Sequence, residues 1–338
     1  MARPGAARSA WRVPVGRRPQ RSVSITGRKN GLRRATPSFA FVTADIFTSH
    51  QFGGNQLAVF PDARGLPEES MQRIAREFNF SETTFVLPPK DRKHTRHVRI
   101  FTPGGEVPFA GHPTVGTAFV LATIGEIALA GAETRIVFEE GVGPVPVTIR
   151  SKDGRPDFAQ LTAAKLPEFG PKPPAERDLA RILGLEPDDV LTGAFAPEAV
   201  SCGLEFLFIP VRDRSVLARA RVRLDDFERV LRGYWTEKVF VFCDDPELPG
   251  SHFRARMFAP TISVPEDPAT GSACAAFGGY LGKRDERADG ALRWVVEQGF
   301  EMGRPSILEV ELDKRGGAIT AVRVGGRSVL VSRGEFYL

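Results

Sequence analysis

The chain has 338 residues, of which 42% are hydrophobic, and its formal net charge at pH 7 is +5. No apolar run approaches the roughly 20 residues of a membrane span. The three cysteines are too widely spaced to suggest a disulfide framework or a metal site, and they fit a reducing cytoplasm. Ten basic residues and no acid lie within residues 1–38, so the remainder carries a net charge of −5. The basic balance therefore gives no reason to expect nucleic acid as a partner.

The basic stretch 1–38 shows no hydrophobic periodicity. We predict that this stretch is a disordered leader, or that it results from a start codon placed upstream of the true one. An organelle transit peptide is the alternative, because such peptides are rich in arginine and poor in acids. The length of the remainder suggests two domains of roughly 150 residues. We place them at 39–160 and 161–338, and allow for C-terminal strands that cross back to the first domain.

The first half reads as strands that surround one apolar helix. A helix over 67–80 is indicated by Met71, Ile74, Ala75 and Phe78, which recur at helical spacing. A second helix, over 113–124, is apolar nearly all round and is therefore expected to be buried. The predicted strands of this half are 39–47, 52–60, 83–87, 97–101, 134–138 and 146–150. The proline-rich segment 151–175 is predicted to be a loop that contains the domain boundary.

The second half repeats this plan more loosely. Helices are predicted over 175–183, 224–231 and 274–281, and the last of these is again apolar. The predicted strands are 204–211, 239–243, 253–258, 292–297, 307–312, 319–324 and 329–331. Because the strands wrap a central helix and do not alternate with helices in βαβ units, the pattern favours an α+β fold.

Three pairs of segments match in the same order in the two halves: 81–87 with 236–242, 99–103 with 256–260, and 107–118 with 264–273. The last pair, aligned at an offset of 155, sets Asp267 opposite His112, each just before a helix. We therefore expect two homologous halves. If they face each other, two helix N-termini meet at one cleft, where unpaired backbone N–H groups favour anions.

Glu82 lies at a turn into a strand, among apolar residues. A carboxylate in an apolar cleft has a raised pKa, which suits a general base near neutral pH. The alternative is an acid that hydrogen-bonds locally at the turn. Its counterpart in the second half, Glu237, lies beside Lys238 and is expected to form an exposed ion pair.

His112 and Asp267 form the predicted pair of ionisable groups facing one cleft, which suits proton shuttling. Alternatively, the histidine is structural and the aspartate is a helix N-cap. Gly271 and Ser272 are placed to donate hydrogen bonds to a substrate carboxylate. No nucleophile elbow surrounds Ser272. No P-loop or Rossmann fingerprint occurs, so nucleotide-dependent chemistry is not expected.

Three motifs resemble those of the phenazine-biosynthesis PhzF-like family: Ser-Glu-Thr within 79–86, Gly-His-Pro within 101–113, and Glu-Asp-Pro-Ala-Thr-Gly-Ser within 266–273. Segments 54–59, 71–77 and 301–306 match as well. The resemblance implies a diaminopimelate-epimerase-like fold, with two similar domains that each wrap a barrel-like, mostly antiparallel sheet around a central helix. It also implies proton transfer without a cofactor or metal, and a homodimer.

The same resemblance implies roles for particular residues. Glu82 corresponds to the catalytic glutamate, with His112 and Asp267 as the other catalytic residues. The resemblance also implies that Ser272 binds the substrate, and we expect further substrate-binding positions at Gly271, Gly111, Gly116 and Asn55. Related epimerases use two cysteines as acid and base, but no cysteine here falls within the matching motifs. One departure is Gln56, which stands where a proline is common.

The sequence therefore predicts a cytoplasmic isomerase that acts on a small carboxylated molecule, with no membrane or nucleic acid partner. A ring similar to 2,3-dihydro-3-hydroxyanthranilate is the expected substrate, with Glu82 as general base and acid. Two alternatives remain open. One is an epimerase or racemase of a small acid, and the other is a non-catalytic binding or scaffold protein with the same fold.

Overall fold

Strands dominate the part of the chain that the computed structural model describes, which is residues 37–262 and 264–338. The predicted leader, up to residue 36, lies outside the described residues. Within the described part, no helix is both long and apolar enough to cross a membrane.

Among the described residues, the first half contains eight strands and two α-helices. In chain order they are β1 (Ser38–Ile46), β2 (Asn55–Phe60), α1 (Glu68–Phe78), β3 (Glu82–Leu87), β4 (Arg96–Phe101), β5 (Glu106–Val107), α2 (Gly111–Thr123), β6 (Glu133–Glu140), β7 (Gly143–Lys152) and β8 (Arg155–Thr162).

The described part of the second half adds ten strands and four α-helices. They are β9 (Glu168–Phe169), α3 (Glu176–Ile182), β10 (Glu198–Ser201), β11 (Glu205–Pro210), α4 (Arg214–Arg219), α5 (Leu224–Leu231), β12 (Val239–Cys243), β13 (Phe253–Ala259), β14 (Val264–Asp267), α6 (Gly271–Arg284), β15 (Gly290–Gln298), β16 (Ser306–Arg315), β17 (Ala318–Gly326) and β18 (Ser328–Tyr337).

The two halves pair their strands in the same order. In the first half, β1–β2 is antiparallel, β2–β3 parallel, β3–β4 and β4–β5 antiparallel, β4–β6 parallel, and β6–β7 and β7–β8 antiparallel. Strands β10 to β17 repeat this series step for step. The predicted α+β fold with two similar halves is confirmed.

Each half wraps its sheet around one apolar helix, α2 or α6. Neither helix has a polar face to give to water, so both pack on the inner faces of the strands. In the second half, Phe277 of α6 packs against Phe208, Phe240 and Phe242, with ring centroids 4.6–5.5 Å apart. Burial of these helices fixes the positions of their N-termini.

The two halves are joined through β8 and β17, which pair antiparallel, and β18 returns to pair with β1. The prediction of a loop over 151–175 is therefore wrong for the residues that form β8. Pro156 suggested a loop, but it stands at the start of the strand, where a missing N–H costs little. The boundary at 160/161 falls inside β8, and we propose that it lies after Thr162.

The pairing also corrects the register of the sequence repeat. Strands β5 and β14 end at Val107 and Asp267, and α2 and α6 each begin four residues later. The residue equivalent to His112 is therefore Ser272, and the residue equivalent to Asp267 is Val107. The prediction that His112 and Asp267 are equivalent positions is wrong. The helix starts give an offset of 160 between the halves, whereas the short pattern of prolines and glycines also matches at an offset of 155.

The counterpart of Glu82 changes for a similar reason. Phe85 pairs with Arg99 in the first half, and Val241 pairs with Arg256 in the second. Arg99 and Arg256 match between the halves, so their strand partners Phe85 and Val241 are equivalent. Three residues earlier in each strand, Lys238 is therefore the equivalent of Glu82. Glu237 lies one residue out of register. Since side chains alternate between the faces of a strand, a shift of one residue changes the face.

Candidate active site

The N-termini of α2 and α6 meet at two glycines. A Cβ placed on Gly111 would lie 2.7 Å from the backbone nitrogen of Ser272 and 2.8 Å from the carbonyl carbon of Gly271. The backbones approach this closely only because neither glycine carries a side chain. The expectation that two helix N-termini meet is confirmed.

Replacing Gly111 with alanine is expected to push the two helix N-termini apart. The added methyl group would meet backbone atoms, which cannot rotate away as a flexible side chain would. We expect a loss of about 1–3 kcal/mol in the free energy of unfolding, measured by chemical denaturation. Gly104→Ala is the matched control, because its nearest neighbour would lie 3.6 Å away. Equal stability of the two variants would contradict the tight contact.

Glu82 and His112 lie side by side where β3 and α2 begin. Glu82 Oε2 is 3.3 Å from His112 Nε2, and the side chains are 17% and 5% exposed. Burial, with a smaller contribution from the charge of Asp267, raises the pKa of Glu82 to about 8. Burial lowers the pKa of His112 to about 3. At neutral pH the imidazole is therefore uncharged, and most Glu82 side chains carry a proton.

Asn55, the first residue of β2, connects this pair to the second half. Its Nδ2 lies 2.8 Å from Asp267 Oδ1, 3.1 Å from the carbonyl oxygen of Ala269 and 3.3 Å from His112 Nδ1. An amide nitrogen has two hydrogens, so it cannot donate fully to three acceptors at once. Asn55 therefore holds the second-half loop and the histidine in one polar cluster.

Asp267 is buried but has several donors. Thr270 Oγ1 donates to Oδ2 at 2.5 Å, and Ser81 Oγ donates to Oδ1 at 3.4 Å. Burial raises the pKa of Asp267 to about 6, and the hydrogen bonds from Thr270, Asn55 and Ser81 oppose that rise. Near pH 7 Asp267 is thus mostly ionised while Glu82 is mostly protonated. Neighbouring carboxyls with separated pKa values are typical of acid–base sites.

The structure brings Glu82, His112, Asp267 and Asn55 together, with Gly111, Gly271 and Ser272 at the adjoining helix N-termini. It does not bring Gly116 to this cluster. That glycine lies against Ile46 and Leu57, whose side chains would be within 2.5–2.6 Å of an added Cβ. Its role is to pack α2 against β1 and β2, and we leave it out of the proposed site.

Sequence reasoning missed Gln298, which supports the Asp267 loop. Its Nε2 donates to the carbonyl oxygen of Asp267 at 2.7 Å and to Thr270 Oγ1 at 2.9 Å, while its Oε1 accepts from Thr270 N at 3.1 Å. This glutamine is separated from the loop by the whole of α6. No local motif marks it, and only the strand pairing places it there.

Arg304 was also missed as a site-supporting residue, although it lies within the matching segment 301–306. Its guanidinium donates to Asp45 Oδ1 at 2.6 Å, to the carbonyl oxygen of Gly53 at 2.6 Å and to that of Gly54 at 2.8 Å. The loop that it holds leads directly into Asn55. The basic side chain of the second half therefore fixes a site loop of the first half.

Comparison with known proteins identifies the family. The family model described as phenazine biosynthesis-like protein matches residues 44–334. A protein of Mesorhizobium japonicum named as an uncharacterised isomerase is 39% identical over 309 residues, covering 88% of this chain and 98% of the relative. The trans-2,3-dihydro-3-hydroxyanthranilate isomerase of Pseudomonas aeruginosa is 35% identical over 313 residues, covering 88% of this chain and 99% of the relative.

Solved structures agree with this assignment. A Bacillus anthracis phenazine biosynthesis protein of the PhzF family has a TM-score of 0.81 and 27% identity, covering 89% of this chain and all of that one. A hydroxyproline epimerase from Agrobacterium vitis, with a TM-score of 0.60 and 16% identity, covers 89% of this chain and 93% of that one and shows only the shared fold. The chain is therefore an isomerase that belongs to the phenazine biosynthesis-like, or PhzF, family.

Proposed function

We propose that this isomerase moves a proton between two carbons of a small carboxylated substrate, with Glu82 as the general base and acid. One observation carries the proposal. Two neighbouring buried carboxyls, Glu82 and Asp267, have pKa values of about 8 and about 6, on either side of neutrality. Because the pKa of Glu82 lies near neutrality, its ionised form, which can take a proton, and its protonated form, which can return one, are both available around pH 7 to 8.

In the proposed reaction, ionised Glu82 takes a proton from a substrate carbon. The electrons of the broken C–H bond move into the adjacent carbon framework, and a double bond shifts. The protonated Glu82, or a relay through His112, then returns a proton to another carbon. Substrate and product contain the same atoms and electrons, so the step balances without an oxidant or a reductant.

The adjoining helix N-termini are proposed to bind the substrate carboxylate. Backbone N–H groups in the first turn of a helix lack partners within it and carry partial positive charge. In this proposal Gly271 and Ser272 supply those donors, and Gly111 brings the second helix N-terminus alongside. Asp267 and His112 orient the substrate or relay the proton. Burial of the cluster excludes water, which strengthens these electrostatic interactions.

The name of the Pseudomonas aeruginosa relative supports trans-2,3-dihydro-3-hydroxyanthranilate as the first substrate to test. Proton NMR in deuterated water would follow this compound with the purified protein. We expect loss of substrate signals and deuterium at a new carbon. Deuterium at the original carbon, with inversion there, would favour the epimerase alternative. No exchange at all with folded protein would remove this compound as the substrate and direct the search to other carboxylated carbon acids.

The pH dependence of kcat/KM tests the assignment of the base. Glu82 must be ionised to remove a proton, so kcat/KM is expected to rise with pH and to level off above about 8. His112, with a pKa of about 3, should add no step between pH 5 and pH 9. Initial rates measured from pH 5 to pH 10 check this. A flat profile between pH 6 and pH 9 would remove Glu82 as the base.

We also propose a homodimer, on the family resemblance alone. Light scattering coupled to size-exclusion chromatography should give twice the chain mass of 37.0 kDa. A mass equal to that of one chain at micromolar concentration would contradict this.

A further inference from the structure

Glu140 is a buried acid that the proposed reaction does not use. It is the last residue of β6, is 6% exposed, and lies against the first turn of α2. Its Oε1 is 2.7 Å from Thr114 Oγ1. Its Oε2 is buried without a hydrogen-bond partner among the described residues. An acid in such a place requires an explanation, because burying an unpaired charge is costly.

The contacts of Thr114 indicate where a proton lies. Thr114 Oγ1 is 2.8 Å from the carbonyl oxygen of Ala110, and the backbone N–H of Thr114 reaches that same oxygen only at 3.4 Å. A hydroxyl has one hydrogen. If it donates to Ala110, then the 2.7 Å contact with Glu140 requires the hydrogen of a protonated carboxyl. Burial raises the pKa of Glu140 to about 8, which is consistent with that arrangement.

In the second half, a neutral amide side chain makes the corresponding contact with the start of the central helix. His97 pairs with Glu139 in the first half, and Arg254 pairs with Glu297 in the second. The residue that follows each acid ends its strand, so Gln298 is the structural equivalent of Glu140. The Gln298 amide holds the start of α6 through Thr270 and the carbonyl oxygen of Asp267. Glu140 reaches the start of α2 through Thr114.

We infer that Glu140 is a positioning residue whose protonated carboxyl fixes the first turn of α2, and with it His112, as the Gln298 amide fixes the Asp267 loop. The inference rests on the proposed function only for the role given to His112. The contact by which Glu140 holds the start of α2 follows from the distances at Thr114 and from the equivalence with Gln298.

Other ionisable groups lie near Glu140 and bear on its titration. Those that line the same surface groove are Lys90, Asp91, His94, His97 and Glu139. Glu139, the neighbour in sequence, accepts from the backbone nitrogens of Lys90 and Asp91 at 2.7 Å and contacts His94 Nδ1 at 2.9 Å. Glu139 thus holds a loop instead of α2, which makes Glu139→Gln the matched control.

The test compares Glu140→Gln, Glu140→Ala and Glu139→Gln with the wild type. A glutamine can still donate to Thr114, so Glu140→Gln should keep kcat within about threefold of wild type, whereas Glu140→Ala should lose about tenfold or more with little change in KM. The imidazole NMR signals of His112 should shift in Glu140→Ala and stay in place in Glu140→Gln. Glu139→Gln should match the wild type in both measurements.

Stability against pH gives a measurement that needs no substrate. A group whose folded-state pKa is raised stabilises the fold fully below its unfolded pKa, and that contribution is lost as pH rises through the folded value, here about 8. Wild-type melting temperature should therefore fall more between pH 5 and pH 8.5 than that of Glu140→Gln, and the two should change in parallel above that range. Glu82 titrates in the same range in both proteins, so the difference between them reports Glu140.

Three results would overturn the inference: equal pH slopes in wild type and Glu140→Gln, equal loss of activity in the glutamine and alanine variants, or unchanged His112 signals in Glu140→Ala. Failure of the proposed function looks different. In that case the wild type itself would turn over no substrate, while the stability slopes and the His112 signals would still separate the variants.

Discussion

Replacing Glu82 with glutamine should reduce turnover by about 10²–10⁴-fold, the usual contribution of a general acid or base. The amide keeps the shape of the side chain but cannot take a proton from carbon. Folding should not suffer, because a neutral amide replaces a carboxyl that burial already disfavours in its charged form. The NMR exchange assay in deuterated water measures turnover, and thermal unfolding checks the fold.

Glu237→Gln is the control for this variant. Glu237 is the acid nearest to the same position in the second half, but it lies one residue out of register with Glu82. We expect wild-type turnover from it. Deuterium incorporation by Glu82→Gln at more than about a tenth of the wild-type rate would leave the reaction without its proposed base. Asp267 would then become the carboxylate to test.

Replacing Arg304 with alanine should give the largest loss of stability. Its guanidinium pairs with Asp45, whose side chain is only 5% exposed, and also binds two backbone carbonyl oxygens. Removing it leaves a buried carboxylate without its partner, which costs about 3–5 kcal/mol in other proteins. Phe52 N donates to the same carboxylate at 2.7 Å, so the loop that leads to Asn55 should loosen too. Chemical denaturation measures the loss of stability, and kcat measures the effect of the loosened loop on the site.

Two further variants make this result specific. Arg304→Lys keeps the positive charge, but a compact ammonium group cannot reach all three oxygens that the planar guanidinium binds. It should therefore recover only part of the stability. Arg64→Ala removes an arginine whose pair with Asp62 is exposed on both sides, so its loss of stability should be much smaller than that of Arg304→Ala. If Arg304→Ala were no more costly than Arg64→Ala, Arg304 would not be holding the site loop.

Much of the fold was predictable because hydrophobic periodicity is local. The helix predicted over 67–80 is α1, and the helix predicted over 224–231 is α5, both with bounds within two residues. The two apolar helices were recognisable as buried because neither has a polar face. Strand β8 was missed because Pro156 is a loop signal in sequence, and only its pairing with β7 and β17 makes the segment a strand.

The sequence by itself determined the family and the two-half plan, and it named Glu82, His112, Asp267 and Asn55 as residues of the proposed site, because short motifs carry those residues. Only the tertiary structure decided which residues are equivalent between the halves. Matching letters allowed a shift of five residues, whereas hydrogen-bonded strands allow only one register. It also decided which residues support the site. The contacts of Gln298 and Arg304, and that of Glu140, for which we propose a similar role, join segments far apart in the chain, and no local pattern predicts a contact between distant segments.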